Sequence, residues 1–245
     1  MSPNATPPTF VLIHGAWHGG WCWDRVATRL RAAGHRVYAP SLPGLGDQIH
    51  RLTRETNLST HVTEILDLLA REDLVEVVLC GHSYGGAVAS VVADRASERI
   101  RSLVYLDAFV PQHGESMLDV MLPERRERLE AAAAESATNT VPPIPAAVFR
   151  VNERDREWVD RTCLPQPFGT FSEKVQLGGG LQRIGRKTYV RAAGYPNRVF
   201  EAHYQRFRRD PSWTVVALEC GHDVMLDMPD ELAALLERCA VDGAR

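Results

Sequence analysis

The 245-residue chain lacks an excess of one charge, a long apolar run and any patterned set of cysteines, and each absence removes a class of function. Its 28 basic and 31 acidic residues leave a net charge of −3 and are scattered, so there is no basic stripe to meet a nucleic acid. No apolar run approaches the roughly 20 residues that a membrane span needs. The stretch from Met1 to Thr9 is polar and proline-rich, without the basic start and apolar centre of a secretory signal; a soluble, cytoplasmic protein is expected. The five cysteines, Cys22, Cys80, Cys163, Cys220 and Cys239, are odd in number and show neither C-x-x-C spacing nor histidines at metal-ligand intervals. Most therefore read as small buried hydrophobes. Nothing resembles an interdomain linker, and the length suffices for one α/β core.

What is present is a rhythm of strands and helices. Thr9 to Ile13 is apolar without alternation, as in a strand covered on both faces. Helical spacing follows over Trp23 to Ala33, then a strand over His35 to Ala39 and a helix over Leu58 to Leu69 with Ser59 as its N-cap. A strand and a helix flank Ser83, and Ile100 to Leu106 makes the next strand. Residues 111–185 break the rhythm with helical stretches over Pro123 to Ser136 and Asp155 to Arg161; an insertion of this length reads as a cap. Its glycine run, Gly178-Gly179-Gly180, reads as the exit from the cap rather than a phosphate loop. The rhythm resumes with strands over Lys187 to Ala192 and Thr214 to Glu219 and helices over Arg198 to Arg208 and Pro229 to Ala240. The expected fold is a mostly parallel sheet of about six strands with helices on both faces, its core formed by 1–110 and 186–245. A ligand should bind beyond the carboxyl ends of the strands.

Those ends carry the chemistry. Gly81-His82-Ser83-Tyr84-Gly85 follows a β-branched run and precedes a helix rich in small residues, the context of a nucleophile elbow that displays Ser83. A serine hydroxyl needs a base, and an imidazole titrates in the right range to take its proton and return it. His222 follows the last strand and precedes the last helix, matching the chain order serine, acid, histidine. His82 sits within the elbow and reads as turned away from the reaction. Two N–H donors for an oxyanion are expected from Tyr84, directly after the serine, and Ala16, after the first strand. The acid is less determined. Asp107 ends the strand after the elbow helix and could hold His222; Glu201 is an alternative, and a purely structural Asp107 is another. Trp17, His18, Phe109, Trp158 and Met225 are placed by position where they could wall a pocket, although the tryptophans after the first strand could equally be packing for the first helix.

Phe10-Val11-Leu12-Ile13-His14-Gly15-Ala16-Trp17-His18-Gly19-Gly20-Trp21, taken with the elbow and Gly221-His222, resembles the α/β-hydrolase superfamily. More narrowly it is similar to the branch of plant methylesterases and hydroxynitrile lyases and their bacterial esterase relatives, including esterases of the carbendazim-hydrolysing type. The resemblance implies the α/β-hydrolase fold and a serine, histidine and acid site under a helical cap, with no metal and no cofactor. It implies a small-molecule ester or carbamate as substrate, no nucleic acid or membrane partner, and compatibility with a homodimer. The chain departs from the branch where the acid usually stands, after the penultimate strand: it has Tyr195-Pro196-Asn197 there, so Asp107 would be a relocated acid. Lyases carry a lysine directly after the histidine to hold the leaving cyanide. Here that position is Asp223, whose charge would repel cyanide, which favours hydrolysis over lyase chemistry; cyanohydrin or carbon–carbon cleavage and a non-catalytic ligand receptor on the same fold are the alternatives.

Overall fold

The computed structural model describes residues 7–241. In chain order it comprises β1 (Thr9–Ile13), α1 (Asp24–Ala32), β2 (Arg36–Tyr38), α2 (Leu58–Arg71), β3 (Val77–His82), α3 (Gly85–Arg95) and β4 (Ile100–Leu106). An insertion follows with α4 (Met117–Val120), α5 (Pro123–Glu135), β5 (Thr140–Val141), α6 (Glu153–Thr162), β6 (Gln166–Pro167) and α7 (Gly169–Ser172). The chain then returns through β7 (Arg186–Ala192), α8 (Arg198–Arg208), β8 (Trp213–Leu218), α9 (Val224–Asp227) and α10 (Pro229–Ala240). Six strands pair in the order β2-β1-β3-β4-β7-β8, every neighbouring pair parallel. The unalternating apolar character of β1 and β3 has its explanation here: both lie in the middle of the sheet, buried along their whole length by helices on either face. The edge strand β8 alternates between half-buried and exposed residues instead.

The expected elements are present, with differences that have local causes. Helix α2 starts at Leu58 as expected, but Asn57, not Ser59, is its cap: the Asn57 side chain accepts from the Thr60 N–H and Thr60 reciprocates. Ser59 instead donates to Glu173 of the insertion, its N–H at 2.7 Å from the carboxylate. Two residues each of β5 and β6 form a small antiparallel ladder, too short for any periodicity to announce. All five cysteines are free; Cys22 and Cys80 are buried, and the other three are half-buried.

The glycine run at the end of the insertion closes on an internal anion. Gly178 and Leu181 donate their N–H groups to the Asp94 carboxylate on α3, and a Cβ on Gly180 would lie 1.8 Å from the Asp94 carbonyl oxygen. Burial opposes the charge of Asp94, but these backbone donors outweigh it and hold the carboxyl below its usual range. At the other end of the insertion, Arg25 on α1 makes a two-pronged ion pair with Asp155 on α6, both contacts at 2.6 Å. No described helix is long and apolar enough to cross a membrane.

Candidate active site

The sheet delivers its key side chains at the carboxyl ends of three strands, the adjacent β3 and β4 and the edge strand β8. Ser83 follows β3 with φ at +52°, the left-handed conformation that a sharp strand-to-helix turn requires. The turn is possible only because its flanks are bare. A Cβ on Gly81 would stand 2.4 Å from the Gly85 carbonyl oxygen, and one on Gly85 would stand 2.7 Å from the carbonyl oxygens of Ile13 and His14. Asp107 follows β4, also left-handed at φ +41°. His222 follows β8 in the loop before α9.

Asp107 Oδ2 lies 2.7 Å from His222 Nδ1. A carboxylate only accepts, so Nδ1 carries the hydrogen and the lone pair of the neutral ring is on Nε2. The other carboxylate oxygen accepts from Arg191 Nη1 at 2.7 Å and from the Ala192 N–H at 3.1 Å. The charge of Asp107, wholly buried, is thus compensated by three donors. Glu201 is half-exposed, and its partners are Gln205 Nε2 at 2.8 Å and Arg191 at 3.6 Å rather than His222. Arg191 is the residue that sequence reasoning overlooked: an arginine in the interior of an apolar strand signals a buried counter-charge nearby. The His222 ring is clasped by aromatic neighbours, stacked on Phe200 at 5.0 Å and 12° with Tyr195 and Phe149 at 5.0 and 5.3 Å, and its backbone N–H donates to the Phe149 carbonyl at 2.9 Å.

Ser83 and His222 line one narrow cavity, shared with Ala16, Trp17, Tyr84 and Phe109. Tyr195, Asn197 and Phe200 close one side, while the insertion contributes Met117, Met121, Arg125, Phe149 and Phe171. Among the described residues, the backbone N–H groups of Ala16 and Tyr84 make no hydrogen bond, which is unusual for buried donors. Trp17 is fixed in place with φ at +66°, its N–H donating to Gln166 Oε1 and its indole N–H to the Val141 carbonyl.

Three expected wall residues are elsewhere. His18 is buried behind the cavity, where Nε2 meets Asp223 Oδ2 at 3.0 Å and Nδ1 meets the Ala16 carbonyl at 2.8 Å. Trp158 packs edge-on against Trp21 at 4.8 Å, and Trp21 in turn stacks on His18, so Trp158 covers the far side of that stack. Met225 is a fully buried residue of α9. The turn at Trp17 sends consecutive residues to opposite sides of the loop, which proximity in sequence does not reveal.

Both partners of His18 accept only, so both of its ring nitrogens donate and the ring is a cation. Burial pushes against that charge, yet the charge of Asp223 and its hydrogen bond more than offset it and raise the His18 pKa. Asp223, equally buried, is held well below the usual carboxylate range by the same contact. Its carboxylate therefore faces His18 rather than the cavity, which replaces the expected repulsion of an anion in the cavity with an internal ion pair. His82 donates from Nε2 to the His222 carbonyl at 3.0 Å and is kept neutral by burial and by His222. Among the described residues, His82, His222 and Asp223 hold possible ligand atoms within 4.8 Å of one another. Their hydrogen bonds to the His222 carbonyl, Asp107 and His18 would each compete with an ion.

Residues 10–235 match the alpha/beta hydrolase family. The chain is 43% identical over 235 residues to the carbendazim hydrolyzing esterase of Nocardioides sp. (strain SG-4G), covering 93% of this chain and 97% of that protein. It is 28% identical to Methylesterase 10 of Arabidopsis thaliana, covering 94% and 91% of the two chains. Among solved structures, an extracellular alpha/beta-hydrolase from a Paenibacillus species matches with a TM-score of 0.82 at 26% identity, over 96% of this chain and 100% of that one. A parallel sheet in this strand order, an elbow at the end of its central strand and a match across nearly the whole chain lead to one assignment: the protein belongs to the alpha/beta hydrolase family.

Proposed function

We propose that the protein is a serine hydrolase that cleaves a small, fairly apolar carboxylic ester or carbamate through an acyl-enzyme on Ser83. The observation that carries this reading is the 2.7 Å contact between Asp107 and His222 Nδ1, which puts the lone pair of the neutral ring on Nε2, and His222 lines the same cavity as Ser83. Ser83 Oγ attacks the carbonyl carbon while His222 Nε2 takes its proton, and Asp107 stabilises the imidazolium that forms. The oxyanion is met by the N–H groups of Ala16 and Tyr84, each such donor contributing about 2.7–4 kcal/mol to lowering the barrier. His222 then returns the proton to the departing alcohol or amine, and water, activated by the same ring, releases the acyl group. The insertion acts as a cap that keeps bulk water from this site. The esterase relatives, one of them named for hydrolysing a carbamate, support the reaction class.

Lyase chemistry is less well served. The position where lyases keep a lysine is Asp223, turned away toward His18, so no cation there awaits a leaving cyanide. The test is fluorophosphonate labelling followed by a survey of p-nitrophenyl esters of rising acyl length and then aryl and alkyl carbamates. A covalent adduct on Ser83 that is lost in Ser83→Ala, with turnover of short esters, is the expected result. An unlabelled wild type that releases no p-nitrophenol from any ester would overturn the assignment.

A further inference from the structure

Helix α5 carries a cation on its buried side. Leu129 and Ala133 are the residues of α5 that are buried, and Arg125 stands one turn before Leu129 on the same face. Its neighbour Arg126 is paired with Glu130 at 2.8 Å. Arg125, by contrast, makes no hydrogen bond or ion pair among the described residues, and its Nε is shut off from solvent. It lines the Ser83 cavity and also the adjoining vestibule, which opens past Leu122, Pro196 and Arg198.

The surroundings of this guanidinium offer donors and no counter-charge. Neither the cavity nor the vestibule is lined by an aspartate or glutamate. Asn197 lines both, and its Oδ1 is already taken by the N–H groups of Val199 and Phe200 at the start of α8. That fixes the amide orientation and leaves Nδ2, a donor, without a partner among the described residues. Arg198, exposed at the vestibule and without an ion pair among the described residues, adds positive charge at the outer end. A half-buried guanidinium facing an apolar slot is costly unless an anion joins it, and its planar fork matches a carboxylate with two parallel hydrogen bonds.

We infer that Arg125, with Asn197 beside it, recognises a carboxylate on the substrate, so that the preferred esters are those whose acyl chain ends in a carboxylate directed away from the scissile carbonyl. This rests on the hydrolytic reading of Ser83 and narrows it. Charge-assisted hydrogen bonds change affinity by roughly 10–100-fold, and the gain should fall mainly on KM, because the contact is remote from the bond that breaks.

The experiment compares p-nitrophenyl monoesters of succinate and glutarate with p-nitrophenyl butyrate and valerate on the full chain. The wild type should favour the charged esters by at least roughly 10-fold in kcat/KM, with the preference shrinking as salt is raised. Arg125→Met, which keeps the length of the aliphatic stem, should abolish that preference, read as the ratio of kcat/KM for charged to neutral esters, and Arg125→Lys should restore part of it. A wild type that turns over neutral esters with no preference for the charged ones, or an Arg125→Met variant that loses both alike, would overturn the inference. Calorimetric titration with free glutarate separates this from the catalytic reading: binding to the wild type but not to Arg125→Met supports the carboxylate site even if no ester is cleaved, and equal binding or none refutes it.

Discussion

Asp107 with His222, and Asp223 with His18, are two aspartate–histidine pairs joined at a peptide bond, since His222 and Asp223 are neighbours in sequence. Both carboxylates are wholly buried and both contacts are short, at 2.7 and 3.0 Å. The pairs differ in the second nitrogen of each ring. His222 Nε2 has no hydrogen bond among the described residues and lies at the cavity, whereas His18 Nδ1 is spent on the Ala16 carbonyl. One imidazole can therefore exchange a proton and the other is locked as a cation. The first pair is suited to chemistry, and the second ties the loop bearing Ala16 to the loop bearing His222. An aspartate beside a histidine does not define a catalytic pair; the fate of the remaining nitrogen does.

The largest expected effect breaks the exchanging pair. Asp107→Asn should lower kcat by about 10⁴, as for other triad acids, with the fold retained as judged by circular dichroism. Breaking the locked pair should act on stability first. His18→Gln leaves Asp223 buried without its cation, and a loss of about 3–5 kcal/mol is expected from urea unfolding, with kcat falling far less than in Asp107→Asn. A reversal of these two phenotypes would exchange the roles assigned to the pairs.

A pH series sharpens the contrast. The pKa of His18 is raised, so its contribution to stability is complete below the ordinary histidine value and is lost as pH rises through its folded pKa. His14, His61 and His203 run the other way: burial lowers them to about 3, about 4 and about 3. Their contribution is present above the ordinary value of about 6.5 and is lost as pH falls toward the folded values, at up to about 1.4 kcal/mol per pH unit for each group. The thermal midpoint should therefore peak near neutrality, fall steeply in acid and fall more gently in base. His18→Gln should remove its part of the alkaline decline. The smallest effect concerns how the exchanging ring is held. Phe200→Leu removes the stacked neighbour of His222, a contact of about 0.5–1.5 kcal/mol, and should slow kcat by a few-fold, measured on a short neutral ester.

The fold was legible because its signals are local. A strand buried on both faces is apolar without alternation, as in β1 and β3, and the amphipathic spacing of α2 and α8 appears within single turns. Ser83 and His222 were legible for the same reason, each marked by glycines at a strand end. The proposed acid was harder: nothing near Asp107 in sequence distinguishes it from other carboxylates, and the clue lay 84 residues away in Arg191, a charge that the buried half of a strand would not otherwise carry. The cavity walls were least legible. Phe149 and Phe171 reach the site through irregular stretches and short elements of the insertion, while His18, just after the left-handed Trp17, pairs with Asp223, and Trp158 packs on Trp21. Periodicity cannot register either arrangement, because both depend on contacts between segments distant in sequence, such as Phe149 with His222 and His18 with Asp223.

The hydrogen bond from the His222 backbone to the Phe149 carbonyl has a bearing on how substrates arrive. Phe149 belongs to the insertion, and Asp227, just past His222, also accepts from Asn152 at the start of α6. Lifting this flank would pull the proton acceptor out of register with the serine, so admission and competence would be mutually exclusive on that side. Among the described residues, the opposite flank, around Met121 and α5, makes no hydrogen bond to the His222 loop, and it lines the vestibule in which Arg125 stands.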